Sequence, residues 1–177
     1  MPITYLAGSA VYPTVDGSKV IAHVVNNAGG WGAGFVVAIS NRWKEPEWAY
    51  RAWAREGEHP DVLGKTKAFE LGNVQIVQVE PDTWVANMLA QKGYGPSGRE
   101  PHRTDDEPII PLQYDELGIC LLRVSSVAER LGASIHMPRI GCALAGGSWG
   151  RVEPLIKKML DGQRVYVYDF PGGRFNP

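Results

Sequence analysis

A strand that runs directly into a glycine-rich turn and then a helix leaves a chain few ways to fold. Here the strand is Val20-Ile21-Ala22-His23-Val24-Val25, and the turn continues through Asn26-Asn27-Ala28-Gly29-Gly30-Trp31-Gly32-Ala33-Gly34 to Phe35. Phe35, Ile39 and Trp43 then keep helical spacing, which predicts a first helix over residues 33–43. The first N–H groups of a helix lack intrahelical partners and carry partial positive charge. Glycine lets a backbone approach an anion with no Cβ in the way. The expectation is that this loop cradles a diphosphate. It is not a nucleotide-triphosphate loop, because no Gly-Lys-Ser/Thr closes it, and it is not a clean Gly-x-Gly-x-x-Gly fingerprint.

The same logic returns late in the chain. Ser134 to Pro138 reads as a strand, Arg139-Ile140-Gly141-Cys142-Ala143-Leu144-Ala145-Gly146-Gly147 as a small-residue loop, and Val152, Leu155, Ile156, Met159 and Leu160 as the stripe of a final helix. Pro154 predicts that the regular part of that helix begins late. Two such loops at strand ends can close on two sides of one ligand.

The remaining elements follow from pattern. Ile3 to Ala7 reads as a first strand, and Pro46 starts a second helical segment that Gly57 to Pro60 breaks. Lys67 to Gly72, Val74 to Val79 and Thr83 to Leu89 read as three strands. The last is nearly all apolar, as expected of a central strand covered on both faces. Tyr114, Leu117, Leu121, Val124, Ala128 and Leu131 step by three and four, with Gly132 as the stop. Arg164 to Asp169 reads as the last strand. The implied fold class is α/β: a three-layer α/β/α sandwich with a mixed central sheet, in one domain over residues 1–177. Residues 91–111 carry three glycines, four prolines and many charges without periodicity, and read as a long irregular loop.

Composition narrows the function classes. A net charge of -1 provides no basic surface for nucleic acid. No apolar run approaches the length of a membrane span, and the start of the chain does not read as a signal peptide. Two cysteines, Cys120 and Cys142, and four scattered histidines give no disulfide framework and no metal-ligand spacing. The default location is a reduced cytoplasm, with no nucleic acid or membrane partner and no metal or organic cofactor.

Three stretches together resemble the macrodomains, a family that binds ADP-ribose. They are Ile3-Thr4-Tyr5 through Gly8-Ser9-Ala10, His23-Val24-Val25-Asn26 through Gly32-Ala33-Gly34, and Pro138-Arg139-Ile140-Gly141-Cys142-Ala143-Leu144 through Trp149. The Pro-Arg-Ile-Gly-Cys string followed by Trp resembles the subgroup with the terminal ADP-ribose protein glycohydrolase and the yeast-type ADP-ribose 1″-phosphate phosphatases. The resemblance implies that Ser9 and Ala10 lie by adenine, and Asn26 and Asn27 by the distal ribose. Gly32, Ala33, Gly34 and Phe35 would wrap one phosphate. Arg139 belongs to the same second loop, in which Ile140, Gly141, Cys142, Ala143 and Leu144 would wrap the other phosphate and the distal ribose. Asp169 and Phe170 would lie near the adenosine end.

The departures bear on mechanism. Many macrodomains carry an Asp where this chain has Ser9, and a hydroxyl offers no charge-assisted bond to an adenine amino group. The subgroup's glycohydrolase uses a lysine and an aspartate where this chain has Gln91 and Ala145. The expected activity is hydrolysis of ADP-ribose from acidic side chains of ADP-ribosylated protein, with Asn27 and Gln91 positioning water or ribose. His102, Asp105 and Asp106 are further acid–base candidates set against an ordinary solvated loop. The alternatives are a reader that binds without turnover and a phosphatase acting on ADP-ribose 1″-phosphate. Cys142, His23 and Trp149 are expected to pack rather than react.

Overall fold

The computed structural model describes residues 2–60, 66–93 and 110–177. A six-stranded sheet is built from β1 (Thr4–Ala7), β2 (Lys19–Asn26), β5 (Val74–Glu80), β6 (Thr83–Gln91), β7 (Ser134–Pro138) and β8 (Val165–Asp169). Its spatial order is β1-β8-β7-β2-β6-β5. The β5–β6 pair is antiparallel and every other pairing is parallel, so the sheet is mixed. A separate two-stranded ribbon pairs β3 (Glu58–Pro60) with β4 (Thr66–Ala68).

Among the described residues, four helices cover the two faces. On one side, α3 (Tyr114–Leu131) and α4 (Trp149–Met159) bury Leu117, Leu121, Val124, Val152 and Ile156 against Val20, Ala22, Met88 and Ile135 of the sheet. On the other, α1 (Phe35–Arg42) and α2 (Glu45–Glu56) bury Ile39, Tyr50 and Trp53 against Ile21, Val25, Val85 and Leu89. Successive residues of β2 and β6 thus feed opposite cores, as the pleat requires. The result is the α/β/α sandwich expected from the sequence.

Two expectations change. The strand expected over Lys67–Gly72 is only β4, pairing with Glu58–Pro60 instead of entering the main sheet. Gly72, with φ +95, and the Asn73 N–H to Glu70 O bond turn the chain before it reaches β5. The final helix begins at Trp149, five residues ahead of Pro154, which sits inside it. Burial of Trp149 and Val152 anchors that first turn despite the missing proline N–H. The second helix starts as expected, at Glu45 with Pro46 in its first turn.

Candidate functional site

Because β1, β8, β7, β2 and β6 are parallel, their C-terminal ends lie along one edge of the sheet. The loops after β2 and β7 leave that edge together and enclose a cavity of about 270 Å³. Ala33 to Val36 form one wall and Arg139 to Gly141 with Ala143 to Ala145 the other, and Gln91 also lines the cavity. Tyr168, Asp169, Phe170 and the later residues Gly173, Arg174 and Phe175 form the far end. Leu144 reaches across to the first loop, so a Cβ added to Gly34 would stand 3.2 Å from its Cδ1.

The first loop is braced by its own asparagine. Asn26 Oδ1 accepts from the N–H groups of Ala28 (3.0 Å) and Gly30 (3.1 Å), and its Nδ2 donates to Gly30 O (2.8 Å). The Tyr50 hydroxyl donates to the Asn26 carbonyl at 2.5 Å. Gly34, with φ +84, then delivers the chain to α1 in a conformation closed to side-chain-bearing residues at low cost. No side chain caps α1 and no acid sits in its first turn. Its positive end is open to an anion, and the residues that carry its first N–H groups line the cavity.

The second loop is not its equivalent. Gly141 (φ +70) and Gly146 (φ +72) fold it tightly, with Gly147 N donating to Gly141 O at 2.8 Å. The first N–H of α4, on Trp149, donates to Asn176 O at 2.9 Å, so the end of that helix is already occupied by the chain's own tail. A ligand meets only loop amides on this side, and the helix dipole acts from the α1 side.

The far end is aromatic and charged. Arg139 donates from Nε to Asp169 Oδ1 (2.6 Å) and from Nη2 to Oδ2 (2.9 Å). This fork holds the Asp169 carboxyl below the usual carboxylate range and raises Arg139 further. The Tyr168 hydroxyl, pushed up to about 12 by burial, shares a hydrogen bond with His136 Nδ1 at 2.8 Å. His136 Nε2 in turn meets Ser134 Oγ at 2.7 Å, and burial lowers His136 to about 4.

His23 closes the floor. Its Nε2 donates to Asn87 Oδ1 at 2.5 Å, because Asn87 Nδ2 is already donating to Gln75 Oε1 and Pro46 O. Burial lowers it to about 4, its Nδ1 has no hydrogen-bond partner, and Trp31 and Phe35 pack on its ring. It is a neutral core histidine at the cavity base. Cys142 is fully buried, its thiol pushed up to about 12 by desolvation, beneath the second loop. Trp149 is buried there too.

Of the residues singled out from sequence, Ala33, Gly34, Phe35, Gln91, Arg139, Ile140, Gly141, Ala143, Leu144, Asp169 and Phe170 come together around the cavity. Ser9, Ala10, Asn26, Asn27, Gly32 and Cys142 are not in its lining. Ala10 is buried, and Ser9 Oγ accepts from Val11 N at 3.4 Å. Asn27 stands behind Gln91: its N–H donates to Gln91 O (2.9 Å) and its Oδ1 accepts from Gly93 N (2.9 Å). Gln91 Nε2 donates to Gly93 O at 3.0 Å. His102, Asp105 and Asp106 lie outside the described residues. Sequence reasoning missed His23 and Tyr168 as lining residues and the tail Gly173–Phe175 altogether. Alternation in β8 sets Tyr168 beside Tyr166 on the face opposite Val165 and Val167 and so does not mark it as buried, and nothing in the pattern of the last eight residues says that they fold back.

Among the described residues no group of three or more His, Cys, Asp or Glu side chains is placed to hold a metal ion, and no helix is long and apolar enough to cross a membrane.

No family model matches the chain. A curated relative, Chromodomain-helicase-DNA-binding protein 1-like from Mus musculus, is 28% identical over 180 residues, covering 96% of this chain. The chain spans 18% of the length of that protein and 15% of its Danio rerio counterpart. DarTG from Thermosipho africanus, solved in complex with ADP-ribose, is 17% identical, with a TM-score of 0.59 over 89% of this chain and 39% of that one. That likeness is one of fold. A macrodomain protein from Streptomyces coelicolor is 47% identical, with a TM-score of 0.75 over 95% of this chain and 99% of that one. Identity at this level over nearly the full length of both, on the same α/β/α architecture, means that the chain belongs to the macrodomain family.

Proposed function

We propose that the chain binds ADP-ribose in the cavity at the strand ends and hydrolyses the ester joining it to acidic side chains of modified proteins. The observation that carries this is the uncapped N-terminus of α1, opening through Gly34 onto a cavity with an aromatic end. The diphosphate lies against the Gly34–Val36 amides and meets the Ile140–Leu144 backbone on its other side. The adenosine lies toward Tyr168, Asp169 and Phe170, and the distal ribose toward Gln91. That a protein of similar fold, DarTG from Thermosipho africanus, is in complex with ADP-ribose supports the choice of ligand. The subgroup reading, on the Pro138–Cys142 string, supports turnover.

The chemistry suits a site without a strong base. Water adds to the anomeric carbon of the distal ribose as the bond to the carboxyl oxygen breaks. The departing carboxylate is stable at neutral pH and needs no proton. The proton from the attacking water passes to the ligand's diphosphate or to solvent. Gln91, held by Gly93 and backed by Asn27, orients water or ribose, and orientation alone can supply several orders of magnitude.

A second reading, binding without turnover, is favoured by one observation. Gln91 and a buried Ala145 stand where the subgroup's glycohydrolase carries its lysine and aspartate. The test is incubation with protein ADP-ribosylated on glutamate, following release of label, beside a calorimetric titration of free ADP-ribose. Release that falls at least tenfold in Gln91→Ala supports hydrolysis. Binding with no release makes the chain a reader. Release from ADP-ribose 1″-phosphate but not from protein would instead make it a phosphatase.

A further inference from the structure

A second, open recess adjoins the first loop. It is lined by Asn27, Ala28 and Gly29 of that loop, by Arg51, Ala54 and Arg55 of α2, and by Phe69. Its described lining holds two arginines and no carboxylate.

The two arginines differ in how they are held. Arg51 is braced: its Nε and Nη2 both lie 3.0 Å from Glu47 Oε1, and its Nη1 donates to Gly29 O at 3.3 Å. Glu47 Oε2 accepts from Ser40 Oγ at 2.9 Å, and Ser40 Oγ accepts from Trp31 Nε1 at 2.8 Å. The network therefore begins and ends on the first loop, and it sets the Arg51 guanidinium against that loop before any ligand arrives. Arg55 is exposed and meets only Glu56 Oε1, at 3.2 Å. A guanidinium carries five N–H donors. Among the described residues, at least two donors on Arg51 and four on Arg55 remain for a ligand.

One residue joins this recess to the cavity. Asn27 lines the recess, and its N–H donates to the carbonyl of Gln91, which lines the cavity. Gln91 is also where the distal ribose is placed above, so a polypeptide joined to that ribose leaves the cavity beside the first loop. Two guanidiniums with spare donors fit the planar oxygens of a carboxylate, and the rings and methyls of Phe69 and Ala54 suit its methylene stem. A run of phosphates fits less well, because Glu45, Glu56 and Glu58 are exposed along and just beyond the same helix.

We propose that this recess binds an aspartate or glutamate next to the modified residue, so that the chain prefers ADP-ribosylated sites within acidic segments of protein. This rests on the reading of ADP-ribosylated protein as the ligand, and it holds whether the chain hydrolyses the bond or only reads it.

The experiment is calorimetric titration of two peptides that carry ADP-ribose on a central glutamate through a hydrolysis-resistant linkage. One has aspartates at the flanking positions and the other has serines. Each is titrated, beside free ADP-ribose, into wild type, Arg55→Glu and Arg51→Gln. Wild type is expected to bind the acidic peptide at least about threefold more tightly, the scale of one or two exposed ion pairs. Arg55→Glu is expected to abolish or reverse that preference and Arg51→Gln to reduce it, while free ADP-ribose binds Arg55→Glu within about twofold of wild type. A smaller preference in wild type, or one that survives Arg55→Glu, overturns the inference. So does a single-stranded oligonucleotide that binds more tightly than the acidic peptide and loses its affinity in Arg55→Glu, which would make the recess a nucleic-acid site. Failure of wild type to bind free ADP-ribose overturns the reading beneath the inference instead.

Discussion

Gly147→Ala tests the packing of the second loop more sharply than any substitution in the core. Gly147 is buried, and its N–H donates to Gly141 O at 2.8 Å. A Cβ at this position would stand 2.6 Å from that same carbonyl oxygen and overlap Leu112 Cδ2. Leu112 has little room to yield. It is 2% exposed, and a Cβ on Gly141 would meet its methyl groups at 2.6 and 2.8 Å, so the side chain is wedged between both glycines. The carbonyl is backbone and moves only if the loop opens. Breaking the hydrogen bond costs about 1 kcal/mol. Forcing a methyl into the packed contact costs about 1–3 kcal/mol more. Together these give about 2–4 kcal/mol. For a chain of this length about 3 kcal/mol lowers Tm by roughly 6–12 °C. Gly150→Ala is the matched control three residues on: its nearest neighbour is Ser148 Oγ at 3.7 Å, and alanine suits α4 better than glycine. Scanning calorimetry of the two variants should show a large fall for Gly147→Ala and none for Gly150→Ala. Should Gly147→Ala melt within about 2 °C of wild type, the close approach of Gly147, Gly141 and Leu112 would be refuted.

At the first loop, Gly34→Ala forces an L residue to φ +84 and sets its methyl 3.2 Å from Leu144 Cδ1. ADP-ribose affinity should drop about tenfold or more by calorimetric titration, with about 1 kcal/mol of lost stability. Burial lowers His23 and His136 to about 4, while in the unfolded chain both titrate near 6.5. The unfolded state therefore binds more protons as pH falls below 6.5. Stability held in full at pH 7 should be lost between about 6.5 and 4, at roughly 1.4 kcal/mol per pH unit per histidine. Equal urea midpoints at pH 7 and pH 5 would contradict that.

Much of the sandwich was legible because its determinants are local. The apolar runs of β2 and β6 announce strands covered on two faces, and the three–four stepping of Tyr114 to Leu131 announces α3. The edges were not. Lys67 to Gly72 alternates well enough for a strand, but Phe69 turns in to pack on Trp53 and Tyr50, and its backbone leaves the main sheet. Glycine content and position give both loops the same reading as anion cradles, and nothing local separates them. What separates them is the bond from Trp149 N to Asn176 O, made between residues far apart in the sequence. The tail was invisible for the same reason. Its place depends on Asn176 finding Cys142 and Gly147 and on Phe175 finding Arg139. Asn26 and Asn27 look alike in sequence; only the fold makes one the brace of its own loop and the other the tie to Gly93.

The pH dependence of turnover can decide where any catalytic base resides. Among the described lining residues, Asp169 is held low by Arg139, burial lowers His23 to about 4, and burial raises Tyr168 to about 12. None of the three changes charge between about pH 6 and pH 9. If water is oriented by Gln91 and the ligand's diphosphate alone, kcat on ester-linked ADP-ribose should vary without an inflection across that range. A general base would instead impress its own pKa on the profile. An inflection near pH 6 to 7 that vanishes in His102→Ala would refute catalysis by orientation alone. It would place the base in the segment between Gly93 and Ile110, where the sequence also carries Asp105 and Asp106.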